Sequence, residues 1–274
     1  MRLAVVGTGL IGGSFALAAR AAGVFDEVVG VEPDAGRRRA AEANGLIDRA
    51  AGTVPADADA VLLAGPSHTV AEWVVRLADH PAIVLDTASV KQGVLAQVRA
   101  GLGHLPARFV PCHPMAGSDR SGPDAANAEL FQGAEIIVTP GEETDPAAAE
   151  QAAGWWRAVG GRVTYMDAQH HDEIVAVTSH LPHLVAFSYL QQVDGEHLEH
   201  TAGGFRDFTR IGGADADMWL PIFRLNRAAV LQALDALQRD LVHARALIEQ
   251  GDETGLRAFI EAAARRRRAL ANGH

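Results

Sequence analysis

With 274 residues, 48% of them hydrophobic, the chain is long enough for one large domain or two ordinary ones, each with its own core. A net charge of −10 argues against a general nucleic-acid binder or a partner for acidic membranes, so an anionic ligand has to be met by a local group of cations. The single cysteine, Cys112, cannot form an intramolecular disulfide, no apolar run approaches the length of a membrane span, and residues 1–6 lead straight into a strand with no room for a signal peptide. A cytoplasmic protein is expected.

Residues 3–6 are a short apolar run followed by Gly7-Thr-Gly-Leu-Ile-Gly12-Gly-Ser and an alanine-rich stretch to Ala22, a pattern of strand, glycine turn and helix. In a dinucleotide-binding reading, Gly7 makes the tight turn, Gly9 lets the backbone approach a pyrophosphate, and Gly12 lets the helix pack closely on the strand. Leu10 and Ile11 complete that cofactor loop, and the helix N-terminus receives the phosphate charge. A second strand, Glu27–Val31, delivers Glu32, whose carboxylate can accept from a ribose diol and repel a 2′-phosphate, favouring NAD over NADP. Arg37, Arg38 and Arg39 read equally well as a phosphate site or as a solvated helix face. Strands at 60–63 and 82–85 end in Gly65-Pro66-Ser67 and Asp86-Thr-Ala-Ser89-Val-Lys91, turns that belong at the cofactor edge, with Pro66 as a cofactor contact. Ser89 can orient His113, touch the nicotinamide or cap the next helix, and Lys91 reads as a charge in that helix's first turn.

The chain is organised around Val110-Pro-Cys-His-Pro-Met-Ala-Gly-Ser118. Phe109 and Val110 suit a buried strand end, while Pro114 and Gly117 force the backbone out of regular structure, so His113 is expected at a strand's carboxyl edge, where open α/β sheets bind ligands. A histidine there can take a hydroxyl proton while hydride leaves the same carbon; on its own it reads better as a hydrogen-bonded structural residue, and the rest of the chain reverses that. Cys112 points to the opposite face of an extended segment, which argues against a Cys/His couple. Further strands are expected at 134–138 and 162–166, with a helix between them that Asp145 caps and Pro146 starts.

Strand signals vanish beyond Asp167, so the chain divides into an α/β Rossmann-type domain, residues 1–166, and an all-α domain, residues 167–274. Ile174, Val177, Leu181 and Leu184 follow helical spacing, and Pro182 should kink that helix and release a carbonyl near His180 and His183. These two histidines share a face but lack the further ligands a metal needs. Residues 201–213 read as a turn-rich segment dense in charge. A helix from Asp217 to about Gln250, about 50 Å at 1.5 Å per residue, should stop at Gly251 and be followed by a second over 252–270. Long helices of this kind bury an apolar stripe against a partner subunit, which predicts a homodimer through the C-terminal helices.

The segments GTGLIGGS, DTASVK, HPMAGSDRSG, HHDEIVAVTSHLPH and FRDFTRIGGADADMW, in that order and covering most of the chain, resemble the prephenate and arogenate dehydrogenases of tyrosine biosynthesis. The resemblance implies a Rossmann domain followed by a helical dimerisation domain, with the active site between them. It implies NAD-dependent oxidative decarboxylation of prephenate to 4-hydroxyphenylpyruvate, with arogenate to tyrosine as a second reaction. His113 then matches the histidine that hydrogen-bonds the substrate's 4-hydroxyl, Ser89 the serine that assists it, Arg210 the arginine on the ring carboxylate and His183 a substrate-binding histidine. Ser118 and His180 fall in the same segments and are expected to bind substrate, and Asp119 is placed to pair with the α-ammonium of arogenate or to be held by nearby arginines. Two other readings stand beside this one. A Rossmann-type β-hydroxyacid dehydrogenase would lack DFTRI and SHLPH, and a non-catalytic NAD-binding sensor or scaffold would not need His113, Ser89 and Arg210 together.

Overall fold

The computed structural model describes residues 1–118 and 120–271. Short apolar runs that end in glycine, proline or a polar residue become strands, and helices on both faces bury them on both sides. β1 (Arg2–Val6), α1 (Leu10–Ala21), β2 (Glu27–Val31), α2 (Ala35–Ala43), β3 (Arg49–Ala50), β4 (Ala60–Leu63), α3 (Ser67–Arg76), β5 (Ile83–Asp86), α4 (Gln92–Leu102) and β6 (Phe109–Val110) follow one another along the chain. The six strands form one parallel sheet in the order β3-β2-β1-β4-β5-β6, the doubly wound arrangement whose ligands lie beyond the carboxyl ends of the strands. Alternation along the strands sends Leu3, Val5, Val28 and Leu62 into a core with Phe15 and Trp156. Ala4, Val6, Val61 and Leu63 point the other way, into a core with Val74 and Val98. The Rossmann-type fold expected from the sequence is the fold observed.

β7 (Cys112–Pro114), β8 (Glu135–Val138) and β9 (Arg162–Tyr165) make a separate sheet, β7 antiparallel to β8 and β8 parallel to β9. His113, expected at a strand's carboxyl edge, lies just past the end of β6 but inside a strand of its own, β7, opposite Ile137. The reason is Pro111, which has no N–H for the first ladder; its carbonyl accepts from Thr139 N–H at 2.9 Å and the chain pairs anew. α5 (Pro146–Ala158) starts as expected, with the Asp145 side chain accepting from the Ala147 N–H at 2.9 Å.

Past β9 the described chain is helical: α6 (Ala168–Val175), a π-helical turn (Ala176–His180), α7 (Leu181–Leu190), α8 (Gly195–Leu198), α9 (Gly203–Thr209), a 3-10 turn (Arg210–Gly213), α10 (Ala216–Leu225), α11 (Arg227–Gln250) and α12 (Glu253–Ala271). Pro182 cannot donate to the turn before it, and the backbone widens there into the π turn. The Ser179 carbonyl accepts from His183 Nδ1 at 2.9 Å.

Two expectations need correcting. Residues 203–213 are helical rather than turn-rich, because Gly212 lets the 3-10 turn sit on α7, where a Cβ would lie 2.5 Å from Leu190 Cδ1. The single long helix from Asp217 is two helices, because Asn226 ends α10 (φ −105°, ψ 29°) and turns inward to donate its side-chain amide to the Asp172 carbonyl at 2.8 Å. α11 alone has 24 residues and is about 36 Å long. Contacts divide the chain into Met1–Arg227 and a unit that begins at Ala228. Within that second unit Gly251 (φ +64°) turns the chain between α11 and α12, and Leu241, Val242, Ile248 and Ile260 are exposed. No described helix is long and apolar enough to cross a membrane.

Candidate active site

The glycine loop is built by close approach. Gly7 has φ +91°, and a Cβ on it would sit 2.8 Å from the Gly65 nitrogen. A Cβ on Gly12 would fall 2.1 Å from the Gly7 carbonyl oxygen and 2.8 Å from Val5 Cγ1, so the start of α1 can press on β1 only as glycine. Gly9 differs: a Cβ there would meet nothing within 4 Å, which leaves open space above the loop backbone. Gly9 caps α1 without a side chain and the first turn holds no acidic residue, so the N–H groups of Leu10, Ile11 and their neighbours remain for an anion.

Glu32, at the end of β2, is 6% exposed. Its Oε2 accepts from the Thr8 N–H at 3.2 Å and its Oε1 from the Asp34 N–H at 3.1 Å, which holds the carboxylate beside the glycine loop with lone pairs left for a diol. Arg38 reaches the Glu32 main-chain carbonyl at 3.3 Å rather than the carboxylate, and Arg37 and Arg39 are exposed. Pro66 caps α3 at the carboxyl end of β4, next to the Gly65 backbone that faces Gly7. The structure thus brings Gly7, Gly9, Leu10, Ile11, Gly12, Glu32 and Pro66 to one sheet end, and an open cradle over a helix N-terminus beside an acceptor carboxylate fits a dinucleotide.

At the next strand, Asp86 closes β5 and is fully buried. Its Oδ1 accepts from the Cys112 N–H at 3.0 Å, and its Oδ2 from the Ala88 N–H at 3.0 Å and from Lys91 Nζ at 2.6 Å. Lys91, expected as a charge in the first turn of α4, is 1% exposed and also donates to the Cys112 carbonyl. A buried pair with its polar atoms satisfied in this way ties β5, the 87–91 loop and β7 into one rigid body next to His113. The Cys112 thiol, pushed up to about 12 by burial, stays protonated and inert.

His113 Nδ1 lies 2.8 Å from His171 Nε2, and His171 Nδ1 lies 2.8 Å from Asp172 Oδ1. Asp172 in turn accepts from the Lys91 N–H at 2.8 Å and the Gln92 N–H at 2.9 Å, capping α4 from a distance of 80 residues in sequence. Burial holds the His113 pKa well below the ordinary histidine value of 6.5, with neighbouring His171, Lys91 and His180 acting in the same direction. At neutral pH His113 is therefore an uncharged base. Ser89 is half-buried and, among the described residues, makes no hydrogen bond to His113, whose Nδ1 is already taken.

His180 is 1% exposed, faces the Asn226 amide at 3.1 Å and stands edge-on to Trp219; burial lowers its pKa to about 4. His183 stacks on Trp219 with ring centroids 3.9 Å apart, and its pKa is lowered by burial and further by the charge of Arg210. Arg210 itself is exposed, at the head of the 3-10 turn packed on α7. The structure therefore joins His113 with His171, Asp172 and Lys91, and sets Arg210 near enough to His183 to act on its charge. Ser118 is exposed and bonds the Arg120 backbone at 3.0 Å and 3.1 Å, with no hydrogen bond to His113 among the described residues, and Asp119 lies outside them. Sequence reading missed Lys91 as a buried group, and missed His171, Asp172, Trp219 and Asn226. The available signal was a polar pair, His171 and Asp172, on the α6 face whose i+4 and i+3 neighbour is the buried Val175.

The model of the prephenate dehydrogenase nucleotide-binding domain matches residues 15–165, and that of the prephenate dehydrogenase dimerization domain matches residues 167–262. The chain belongs to the prephenate dehydrogenase family. Within it, cyclohexadienyl dehydrogenase of Zymomonas mobilis is 34% identical over 99% of this chain and 97% of its own length. Prephenate dehydrogenase of Bacillus subtilis is 33% identical over 94% of this chain and 73% of its own. The crystal structure of prephenate dehydrogenase from A. aeolicus, in complex with hydroxyphenyl propionate and NAD+, superposes with a TM-score of 0.90 at 31% identity and covers 98% of both chains.

Proposed function

We propose that this chain is an NAD-dependent dehydrogenase that converts prephenate to 4-hydroxyphenylpyruvate and CO₂ in tyrosine biosynthesis, with arogenate as a second substrate that it converts to tyrosine. The observation that carries the reading is a buried His113, its pKa held well below the ordinary histidine value, just beyond the carboxyl ends of a sheet whose first turn is an open glycine cradle, in a member of this family. The relative from Zymomonas mobilis, a cyclohexadienyl dehydrogenase, supports the double substrate range.

NAD supplies the hydride acceptor: the α1 N-terminus and Gly9 take its pyrophosphate, and Glu32 its ribose diol. His113 removes the proton of the substrate's 4-hydroxyl as the hydride departs from C4. The C1–carboxylate bond then breaks, its electron pair aromatises the ring, CO₂ leaves, and the resulting phenolate oxygen takes the proton back from His113. Arg210, with His183 beside it, anchors the ring carboxylate and orients C4. An exposed arginine suits this task, since a tighter ground-state pair would oppose loss of that carboxylate's charge in the transition state. Ser89 serves the substrate or nicotinamide rather than the ring of His113, and Ser118 the substrate's outer end. His180 supports the wall that carries His183 instead of touching substrate. Asp119 is assigned to the arogenate ammonium group. The functional division is placed between residues 166 and 167, and the enzyme works in the cytoplasm as a homodimer through α11 and α12, whose exposed Leu241, Val242, Ile248 and Ile260 supply an apolar face.

Initial rates of NADH formation from prephenate and from arogenate, each with NAD and with NADP, test this reading. NADH from prephenate supports it; no turnover of either substrate refutes it. Arogenate oxidation that Asp119→Asn weakens more than prephenate oxidation supports the ammonium assignment, and equal effects on the two substrates remove it.

A further inference from the structure

We propose that Asp172 and His171 fix the tautomer of His113, so that its lone pair is confined to Nε2 and its Nδ1 always carries hydrogen. The inference rests on the reading of His113 as the base and assigns two residues that position it.

Asp172 is 3% exposed and its two carboxylate oxygens accept from the Lys91 and Gln92 backbone N–H groups at the start of α4, where a helix favours negative charge. A carboxylate only accepts, so at 2.8 Å from Asp172 Oδ1 the Nδ1 of His171 must be the donor. The Nε2 of a neutral His171 is then an acceptor. At 2.8 Å from it, His113 Nδ1 must donate. His113 is left with one basic nitrogen, Nε2, for which no hydrogen-bond partner occurs among the described residues.

The same line works after the proton arrives. Burial, the neighbouring His171, Lys91 and His180 all disfavour the imidazolium, and Asp86 is committed to Lys91. Asp172 is the carboxylate at the end of His113's own hydrogen-bond line, and the His113 Nδ1–H bond to His171 strengthens as the ring becomes charged. No proton has to travel along the line: the substrate O–H bond breaks, an N–H bond forms at Nε2, and the phenolate later recovers that proton. The logic is that of an aspartate orienting the imidazole of a hydrolase triad, with a second imidazole inserted between them. Asn226 holds the arrangement in place by donating to the Asp172 carbonyl at 2.8 Å while facing His180 at 3.1 Å.

The test uses the full chain with ¹⁵N-labelled histidine. Nitrogen–proton correlation spectra at neutral pH should show His113 and His171 both protonated at Nδ1 and bare at Nε2, with His113 identified by its loss in His113→Asn. Asp172→Asn should move His113 to the Nε2–H form and lower kcat about 10²-fold to 10³-fold, with KM for prephenate and affinity for NAD within about threefold of the parent. His171→Leu should lose a similar factor, while His171→Gln, which keeps an acceptor oxygen for His113 Nδ1, should recover about tenfold of it. An Nε2–H tautomer of His113 in the parent protein overturns the proposal, and so does equal activity of the Leu and Gln variants. If Asp172→Asn fails to fold through loss of the α4 cap, the parent spectrum and the His171 pair still decide. A parent enzyme that does not oxidise prephenate would fail the functional reading, whereas the spectrum reports on the tautomer by itself.

Discussion

The regions around His113 and Arg210 are built on opposite principles. Around His113 burial is nearly complete: Nδ1 has a partner, that partner has a partner, and a buried Lys91–Asp86 pair locks the strand on which it sits. Arg210 is exposed at the head of a 3-10 turn, and it shares with its neighbour His183 a field rather than a bond. In the proposed mechanism the difference divides the labour between a base, His113, and a carboxylate receptor, Arg210. A base has to be neutral and aimed before the substrate arrives, so its cost is met in folding; a carboxylate receptor has to stay hydrated and uncommitted, so that it can bind an anion and let it go as CO₂.

If that contrast is right, the largest loss follows from removing the pre-set base. His113→Asn should lower kcat by about 10²-fold to 10⁴-fold while leaving NAD binding within about twofold, as steady-state rates and cofactor titration would show. A variant that keeps half the parent kcat would end the assignment. Lys91→Met attacks the frame instead of the base. By stranding the buried Asp86 it should cost about 3 to 5 kcal/mol of stability in denaturant unfolding, against less than 1 kcal/mol for a surface lysine. On the open side, Arg210→Ala should act on binding, raising KM for prephenate about 10-fold to 100-fold with a smaller effect on kcat. A collapse of kcat at constant KM would place Arg210 with the base rather than opposite it. Glu32→Gln should have the mildest effect of these, narrowing a preference for NAD over NADP by about tenfold. NADP preferred by the unmodified enzyme would mean that Arg37 to Arg39 govern the ribose instead.

The two regions also differ in how far they could be read from the chain. The parallel sheet was legible because β1, β2, β4 and β5 are buried on both faces, so that each is an unbroken apolar run with a glycine, proline or acid at its end. Glu32 and the glycine loop came with it. β7 was not legible: three residues bounded by Pro111 and ending in Pro114 carry no period, and their pairing with β8 is decided more than twenty residues away. Lys91 read only as a charge in a helix's first turn because its partner Asp86 reads as a turn residue, and only the fold shows that both point inward. His171 and Asp172 were hidden for a similar reason. Polar residues on an amphipathic helix read as solvated, and what buries them is the uncapped start of α4, far back in the sequence. The break at Asn226 leaves the helical period intact and comes from hydrogen bonds to α6 and the π turn that no local pattern announces. By contrast the expected roles of His183 and Arg210 came from the resemblance of their segments alone, and they remain part of the proposal.

The central claim is that His113 is a base kept neutral by burial in an enzyme that oxidises prephenate, and the pH dependence of kcat/KM for NADH formation from prephenate tests it most directly. The sign follows from the depressed pKa: activity needs the unprotonated ring, so it is lost only as pH falls through a value well below 6.5. The rate should stay level within about twofold from about pH 8 down through the ordinary histidine value, fall with the slope of one proton only well below it, and lack that limb in the residual activity of His113→Asn. No NADH at any pH, or an acid limb at or above 6.5 that persists in His113→Asn, would contradict the account.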